Sequence, residues 1–150
     1  MYHPVRLPFF ALSYIRRKQC HSAANGTSVF VEGGNPMNVN VVFHIDESAK
    51  WELVLRNASH LIQMVDTPDS DIRIVANSEA VRELVPQSAG SALPMMQKLA
   101  EQGVHFAACN NSLNSFGIRP QELVPFAEVV PAGVLELALR QREGYAYLKP

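Results

Sequence analysis

Apolar residues recur along this chain in two alternating patterns, as short continuous runs and as stripes spaced by three and four positions. The runs predict strands over 38–45, 71–76, 104–109, 128–130 and 145–148. The first run, NVNVVFHI, is rich in β-branched residues, and its continuous apolar centre is typical of a strand buried on both faces. The stripes predict helices between the strands, most clearly over 46–65, 93–100 and 133–142.

The alternation of strands and helices predicts the α/β class. We expect a three-layer, flavodoxin-like domain in which helices cover both faces of a five-stranded, mainly parallel sheet. The strand order expected is 2-1-3-4-5, which is common for such a domain. The regular pattern begins at Met37, so the predicted domain spans residues 37–150.

Residues 1–36 have a different character. They contain several proline and glycine residues, and neither the helical nor the strand period persists. The basic residues Arg16, Arg17 and Lys18 follow the apolar stretch 5–15, whereas in a signal peptide they precede it. We therefore expect a disordered or extraneous extension, and the alternative is a targeting peptide. Val29 to Val31 has the composition of an edge strand.

Composition and charge narrow the classes of partner. The chain has 150 residues and a formal net charge of -1, which gives no electrostatic footprint for nucleic acid. No apolar run approaches the roughly 18 residues of a membrane span, so no membrane partner is expected either. Cys20 and Cys109 form no CxxC motif, which favours a reducing, cytoplasmic setting. Zinc-ligand spacing, a glycine-rich phosphate cradle and a GxSxG elbow are all missing, so we expect neither a metal nor a cofactor.

Cys109 is the leading candidate for chemistry. It stands where the apolar run VHFAAC gives way to Asn110, Asn111 and Ser112, residue types that suit the start of a helix. A cysteine at such a junction lies near free backbone N–H groups and the positive end of a helix dipole, and both stabilise a thiolate. The alternative, about equally supported by position, is a small buried hydrophobic residue.

Other polar residues follow the predicted strands. With strand order 2-1-3, His44 and Asp46 from the first strand would meet Cys109 in one crevice beyond the strand ends. His44 would lower the thiol pKa and Asp46 would orient the imidazole ring. The simpler alternatives are a core-edge histidine and a helix cap. We expect Asn77, Asn110 and Asn111 to line the same crevice as ligand-binding residues, although Asn77 is also a candidate helix cap.

Four segments in order resemble the DsrE/DsrF-like family, which includes bacterial sulfur-relay proteins. They are VVFHIDE (41–47), VANSEAV (75–81), FAACNNSL (106–113) and the final segment 129–150. The resemblance covers residues 37–150 and is greatest to a small, single-domain branch. It implies a flavodoxin-like fold assembled as a homo-oligomer, a trimer or a hexamer.

The resemblance also implies a function. In the relay branches a cysteine carries sulfur as a persulfide, and Cys109 is the matching position here. The first hypothesis is therefore an intracellular sulfur carrier of the sulfurtransferase type, with donor and acceptor proteins as partners. Whether it is an enzyme stays open. The second hypothesis is a non-enzymatic, oligomeric protein that binds a small ligand and whose cysteine is incidental.

Overall fold

The computed structural model describes residues 38–65 and 69–150. Within these ranges the strands are β1 (Asn40–Ile45), β2 (Asp71–Ala76), β3 (His105–Cys109), β4 (Ala127–Val130) and β5 (Ala146–Leu148). The α-helices in the same ranges are α1 (Trp51–Met64), α2 (Leu93–Glu101), α3 (Asn110–Phe116) and α4 (Gly133–Arg142). Short 3-10 helices occupy Ser48–Lys50, Ser78–Leu84, Gly90–Ala92 and Pro120–Glu122. The expected extension 1–36, with its edge strand at Val29 to Val31, lies outside the described residues.

The fold class predicted from the sequence is confirmed. The described strands form one sheet in which all four pairings are parallel. Helices α1 and α2 pack on one face, where residues such as Val54 and Leu99 join the larger core. Helix α4 packs on the other face, where Leu137 joins a smaller core with Val42 and Val75. The result is a three-layer α/β domain.

The predicted strand order is wrong. The order is β4-β3-β2-β1-β5, so β2 lies inside the sheet and β5 pairs with β1. Both orders satisfy right-handed crossovers, and the alternation of elements alone does not separate them. Arg73, at the centre of β2, would suit an edge strand. Its guanidinium forms ion pairs with Asp71 at 3.0 Å and with Glu128 at 3.2 Å. These two carboxylates compensate the positive charge of Arg73, so β2 can lie inside the sheet.

The strand order determines where the connections between strands change from one face of the sheet to the other. From β1 to β4 each strand is laid beside the previous one, and α4 then returns across the opposite face to deliver β5 next to β1. A right-handed crossover in the reverse direction places its helix on the opposite face, which explains the position of α4. The connections that leave β1, β2 and β3 run along the α1 face, and the connection that leaves β4 runs along the α4 face. The topological switch point is therefore between β3 and β4. It is not between β1 and β3, as the sequence analysis expected.

Candidate functional site

Cys109 is the last residue of β3 and the N-cap of α3. Its backbone is extended (φ -68°, ψ 115°), and Asn110 begins the helix immediately after it. The side chain points to the face of the sheet that carries α4, and only 5% of the residue is exposed. A nearly covered sulfur at a helix start combines both expectations for this position, since it is buried and also lies close to backbone donors.

The first turn of α4 also reaches Cys109. Cys109 is in register with Val130 of β4, so the chain leaves β4 beside the cysteine and begins α4 at Gly133. A Cβ on Gly133 would lie 3.3 Å from Cys109 Cβ and 3.2 Å from Asn77 Cβ. Glycine therefore allows the start of α4 to approach the sheet more closely than any other residue would.

Hydrogen-bond donors around the sulfur decide the acidity of Cys109. Burial raises the pKa of the thiol, which is the largest single influence. The Ser112 hydroxyl and the backbone N–H groups of Gly133, Ser112 and Asn111 act in the opposite direction, and together they hold the pKa below its ordinary value. The thiol itself closes no cap bond onto α3, so these donors are available to a thiolate.

The orientation of Ser112 depends on the loop after β2. The backbone N–H of Ser78 donates to Ser112 Oγ at 2.8 Å. Ser78 adopts a left-handed conformation with φ 51°, which non-glycine residues adopt at a cost of about 1 kcal/mol or more. Because Ser112 Oγ accepts a bond from Ser78, its own proton is free to point towards Cys109.

A second group of polar side chains, the Tyr147–His44–Asn77 row, crosses the same end of the sheet. His44 Nε2 lies 2.9 Å from Asn77 Oδ1, and His44 Nδ1 lies 2.7 Å from Tyr147 Oη. An amide oxygen only accepts, so Nε2 carries a proton and donates it to Asn77. In the neutral ring, Nδ1 then accepts from the Tyr147 hydroxyl. The row runs from β5 across β1 to the end of β2.

His44 does not reach Cys109. Strand β2 lies between their strands, and two strand spacings amount to about 10 Å. The expectation that His44 and Cys109 meet across a β1–β3 crevice depended on the wrong strand order, and the two side chains do not meet. Both ring nitrogens of His44 are engaged by Tyr147 and Asn77, so the geometry gives no support for a Cys–His pair.

Asp46 does not orient the His44 ring. The Tyr147 hydroxyl bonds to His44 Nδ1 instead. Asp46 Oδ2 accepts from Lys149 Nζ at 2.7 Å. This bond is the main reason that the pKa of Asp46 is lowered, and partial burial opposes it. His44 contributes only a weaker electrostatic effect. Asp46 and Lys149 form a half-exposed ion pair just beyond the carboxyl ends of β1 and β5.

The three candidate asparagines have different positions. Asn77 is half-buried, lies next to Cys109 and belongs to the Tyr147–His44–Asn77 row. Asn110 and Asn111 are the first residues of α3. Asn111 is exposed, and its backbone N–H is one of the donors near Cys109.

The comparisons with known proteins agree with this architecture. A family model described as the DsrE/DsrF-like family matches residues 37–150. The chain belongs to the DsrE/DsrF-like family. It is also similar to the solved structure of a protein of unknown function, MTH1491, from Methanobacterium thermoautotrophicum. That similarity has 33% sequence identity and a TM-score of 0.69, and it covers 75% of this chain and all of the other. No curated protein matches the chain.

In this DsrE/DsrF-like chain, sequence reasoning missed three residues around the site. The sequence indicated Gly133 as the first residue of a predicted helix. Its contact with Cys109, however, depends on β4 lying beside β3. Ser112 was treated only as a helix-start residue. Tyr147 was assigned to a final strand, and its bond to His44 follows from the β1–β5 pairing.

A separate groove of about 460 Å³ lies on the opposite face of the sheet. Its apolar lining comes from Phe43, Leu61, Met64 and Leu148, which belong to β1, α1 and β5. Phe43 and Leu148 are in register on the α1 face, whereas Cys109 is on the α4 face. A ligand in this groove would not touch the cysteine.

Two kinds of feature are absent from the described residues. No group of three or more histidine, cysteine, aspartate or glutamate side chains among them is arranged to hold a metal ion. None of the helices in residues 38–65 and 69–150 is both long enough and apolar enough to cross a membrane.

Proposed function

We propose that this protein is a sulfur carrier in which Cys109 accepts sulfane sulfur as a persulfide and passes it to an acceptor. The observation that carries the proposal is the convergence of donors from α3 and α4 on one buried thiol, which lowers its pKa. Membership of the DsrE/DsrF-like family, which is associated with sulfur relay, supports it. The cysteine is free, as a carrier requires.

The proposed transfer needs no oxidant. The Cys109 thiolate attacks the outer sulfur of a donor persulfide, R–S–SH, and forms a new S–S bond. The donor S–S bond breaks, and its electron pair leaves with the donor thiolate. An acceptor thiolate then attacks the outer sulfur on Cys109, and the electron pair returns to Cys109. Donors that stabilise this thiolate assist the second step, because a thiol of lower pKa is a better leaving group.

The same geometry is less suited to acyl transfer. A cysteine hydrolase needs a base within hydrogen-bond reach of the sulfur and donors about 3 Å from the substrate oxyanion. Here His44 is occupied and is separated from Cys109 by β2. The donors surround the sulfur itself, which favours a group carried directly on that atom.

The remaining assignments belong to the same proposal. We propose a reducing, cytoplasmic setting, with sulfur donor and acceptor proteins as partners and a homo-oligomer, trimer or hexamer, as the working form. Exposed apolar side chains such as Val134 (69%), Leu135 (50%) and Leu148 (45%) favour self-association. Light scattering should give a mass well above the 16.6 kDa of one chain, and a monomer at micromolar concentration would refute the oligomer.

Mass spectrometry after a pulse of inorganic polysulfide tests the carrier role. The Cys20→Ser protein keeps Cys109 as its single cysteine. It should gain one sulfur atom and lose it to an added thiol, whereas the Cys20→Ser, Cys109→Ser protein should gain none. A Cys109 that takes up no sulfur, or that alkylates with an unshifted pKa, contradicts the proposal.

The groove between α1 and β5 favours a second candidate function, the binding of a small apolar ligand without chemistry at Cys109. Its volume of about 460 Å³ is in the range of small-molecule sites. An inert Cys109, together with saturable binding of an apolar dye that Leu61→Glu abolishes, would make this the better account.

A further inference from the structure

The side chain of Asn77 has an unusual set of hydrogen bonds for a residue at the start of a helix. Asn77 precedes the 3-10 helix Ser78–Leu84, yet its side chain makes no cap bond to that helix. Its backbone N–H donates to Ile45 O at 3.0 Å, and its Oδ1 accepts from His44. The amide NH2 group makes no hydrogen bond with any residue in the described ranges. Two donor hydrogens are therefore left over at the end of β2.

These donors belong to the nearest polar neighbour of Cys109 on the sheet. Strands β2 and β3 are paired up to Ala76 and Ala108, so Asn77 and Cys109 are adjacent on the same face. Both side chains flank the α-carbon of Gly133. His44 holds Oδ1 on the β1 side. Since the oxygen and nitrogen diverge from one carbon, the NH2 group is turned away from β1.

We infer that Asn77 holds the outer atom of the group carried on Cys109, and that His44 and Tyr147 are positioning residues for its amide. The inference rests on the proposed carrier function. The outer sulfur of a persulfide lies about 2 Å beyond the cysteine sulfur and accepts hydrogen bonds as an anion. A side-chain N–H donor beside Cys109 stabilises that atom without having to contact the cysteine sulfur.

The site then divides its work between two sets of donors. Ser112 and the backbone of Gly133 and Asn111 act on the cysteine sulfur itself. Asn77 is not among the main influences on the pKa of the Cys109 thiol. Its effect should therefore appear only when Cys109 carries a sulfur atom.

Two measurements on the full chain in the Cys20→Ser background separate these roles. One is the pH midpoint of alkylation of Cys109. The other is the fraction of Cys109 that carries sulfur at equilibrium with inorganic polysulfide, read by mass spectrometry. Asn77→Ala should leave the midpoint unchanged and weaken sulfur loading by about tenfold or more, the effect of losing one hydrogen bond to an anion. Asn114→Ala, which removes an exposed asparagine of α3, is the matched control.

Tyr147→Phe provides a second variant at an exposed position, where folding is not at risk. It should reduce loading by a smaller factor while the melting temperature and the alkylation midpoint stay the same. A purely structural role would change the melting temperature and leave loading untouched.

The outcomes distinguish this inference from the proposed function. If the parent protein takes up no sulfur, the carrier function fails and the role of Asn77 fails with it. If the parent loads normally and Asn77→Ala loads equally well, the carrier function stands and the inference is wrong. A shifted alkylation midpoint in Asn77→Ala would place its action on the thiol and would also overturn the inference.

Discussion

Gly133 and Cys109 are in such close contact that a single methyl group between them would lie 3.3 Å from Cys109 Cβ and 3.7 Å from Sγ. This approach brings a second helix start to the sulfur, in addition to α3. It depends on a residue without a side chain at the first position of α4.

Gly133→Ala should therefore move the start of α4 away from the sheet by a few tenths of an ångström. The pKa of Cys109 should rise, because the Gly133 N–H is one of the groups that lower it. Crowding should cost about 1 kcal/mol of unfolding free energy, which exceeds the gain from replacing glycine at a helix end. Alkylation against pH and urea unfolding measure the two effects. Arg142→Ala, at an exposed position in the last turn of the same helix, should leave the alkylation midpoint unchanged.

Ser112→Ala should raise the pH midpoint of Cys109 alkylation, because it removes the side-chain donor that lowers the thiol pKa. Ser112→Thr keeps a hydroxyl and should retain most of the effect. Ser115→Ala removes a hydroxyl that bonds Asn111 O at 2.9 Å on the same helix, and it should leave the midpoint unchanged.

The effect of Ser112→Ala on stability should depend on pH. The folded pKa of Cys109 is below its unfolded value of about 8.5, so the stabilisation is fully present above 8.5 and is lost as pH falls through the folded pKa. The difference in unfolding free energy between wild type and Ser112→Ala should therefore widen as pH rises from neutral towards 9. A constant difference would mean that Ser112 stabilises only the Ser78 loop.

Tyr145→Phe tests the charged cluster beneath α4. Tyr145 Oη donates to Asp71 Oδ2 at 2.6 Å. Burial raises the pKa of Asp71, but Tyr145 and Arg73 outweigh it, and the pKa is lowered. Loss of this hydrogen bond to a carboxylate should cost about 2 kcal/mol at pH 7.

The cost of Tyr145→Phe should depend on pH in a defined direction. The ionised Asp71 contributes stability above its unfolded pKa of about 3.9, and that contribution is lost as pH falls through the lower folded value. Urea unfolding at pH 7 and pH 3 should therefore show a smaller cost at pH 3. An equal cost at pH 7 and pH 3 would show that the hydrogen bond to Asp71 does not account for the loss of stability.

A chain that begins at Met37 should fold and melt within a few degrees of the full chain. The family match begins at residue 37, and the regular hydrophobic pattern begins there as well. Differential scanning calorimetry on both chains is the measurement. A fall of many degrees would assign residues 1–36 a structural role, such as the edge strand expected at Val29 to Val31.

Local elements were largely predictable, and the way in which they meet was not. The helix Gly133–Arg142 and the strand Asp71–Ala76 have the predicted bounds, because stop signals and apolar patterns are properties of neighbouring residues. The position of β2 inside the sheet depends on pairing between strands far apart in the sequence.

The candidate site was predictable to the same extent. Cys109 was found from its local context, at the end of a strand and the start of a helix. The contacts of Cys109 with Gly133, and of His44 with Tyr147, required the β3–β4 and β1–β5 pairings. No local pattern encodes those pairings, and the wrong order therefore placed His44 beside the wrong strand.

The near-complete coverage of Cys109 has a kinetic consequence. With 5% of the residue exposed, a reagent reaches the sulfur only when the first turn of α4 or the neighbouring loops separate from it. At low reagent concentration the modification rate rises in proportion to concentration. At high concentration it levels off at the rate constant of that opening, whatever the reagent is. The plateau therefore measures how often the protein uncovers its own sulfur, a frequency that every donor and acceptor of Cys109 would share.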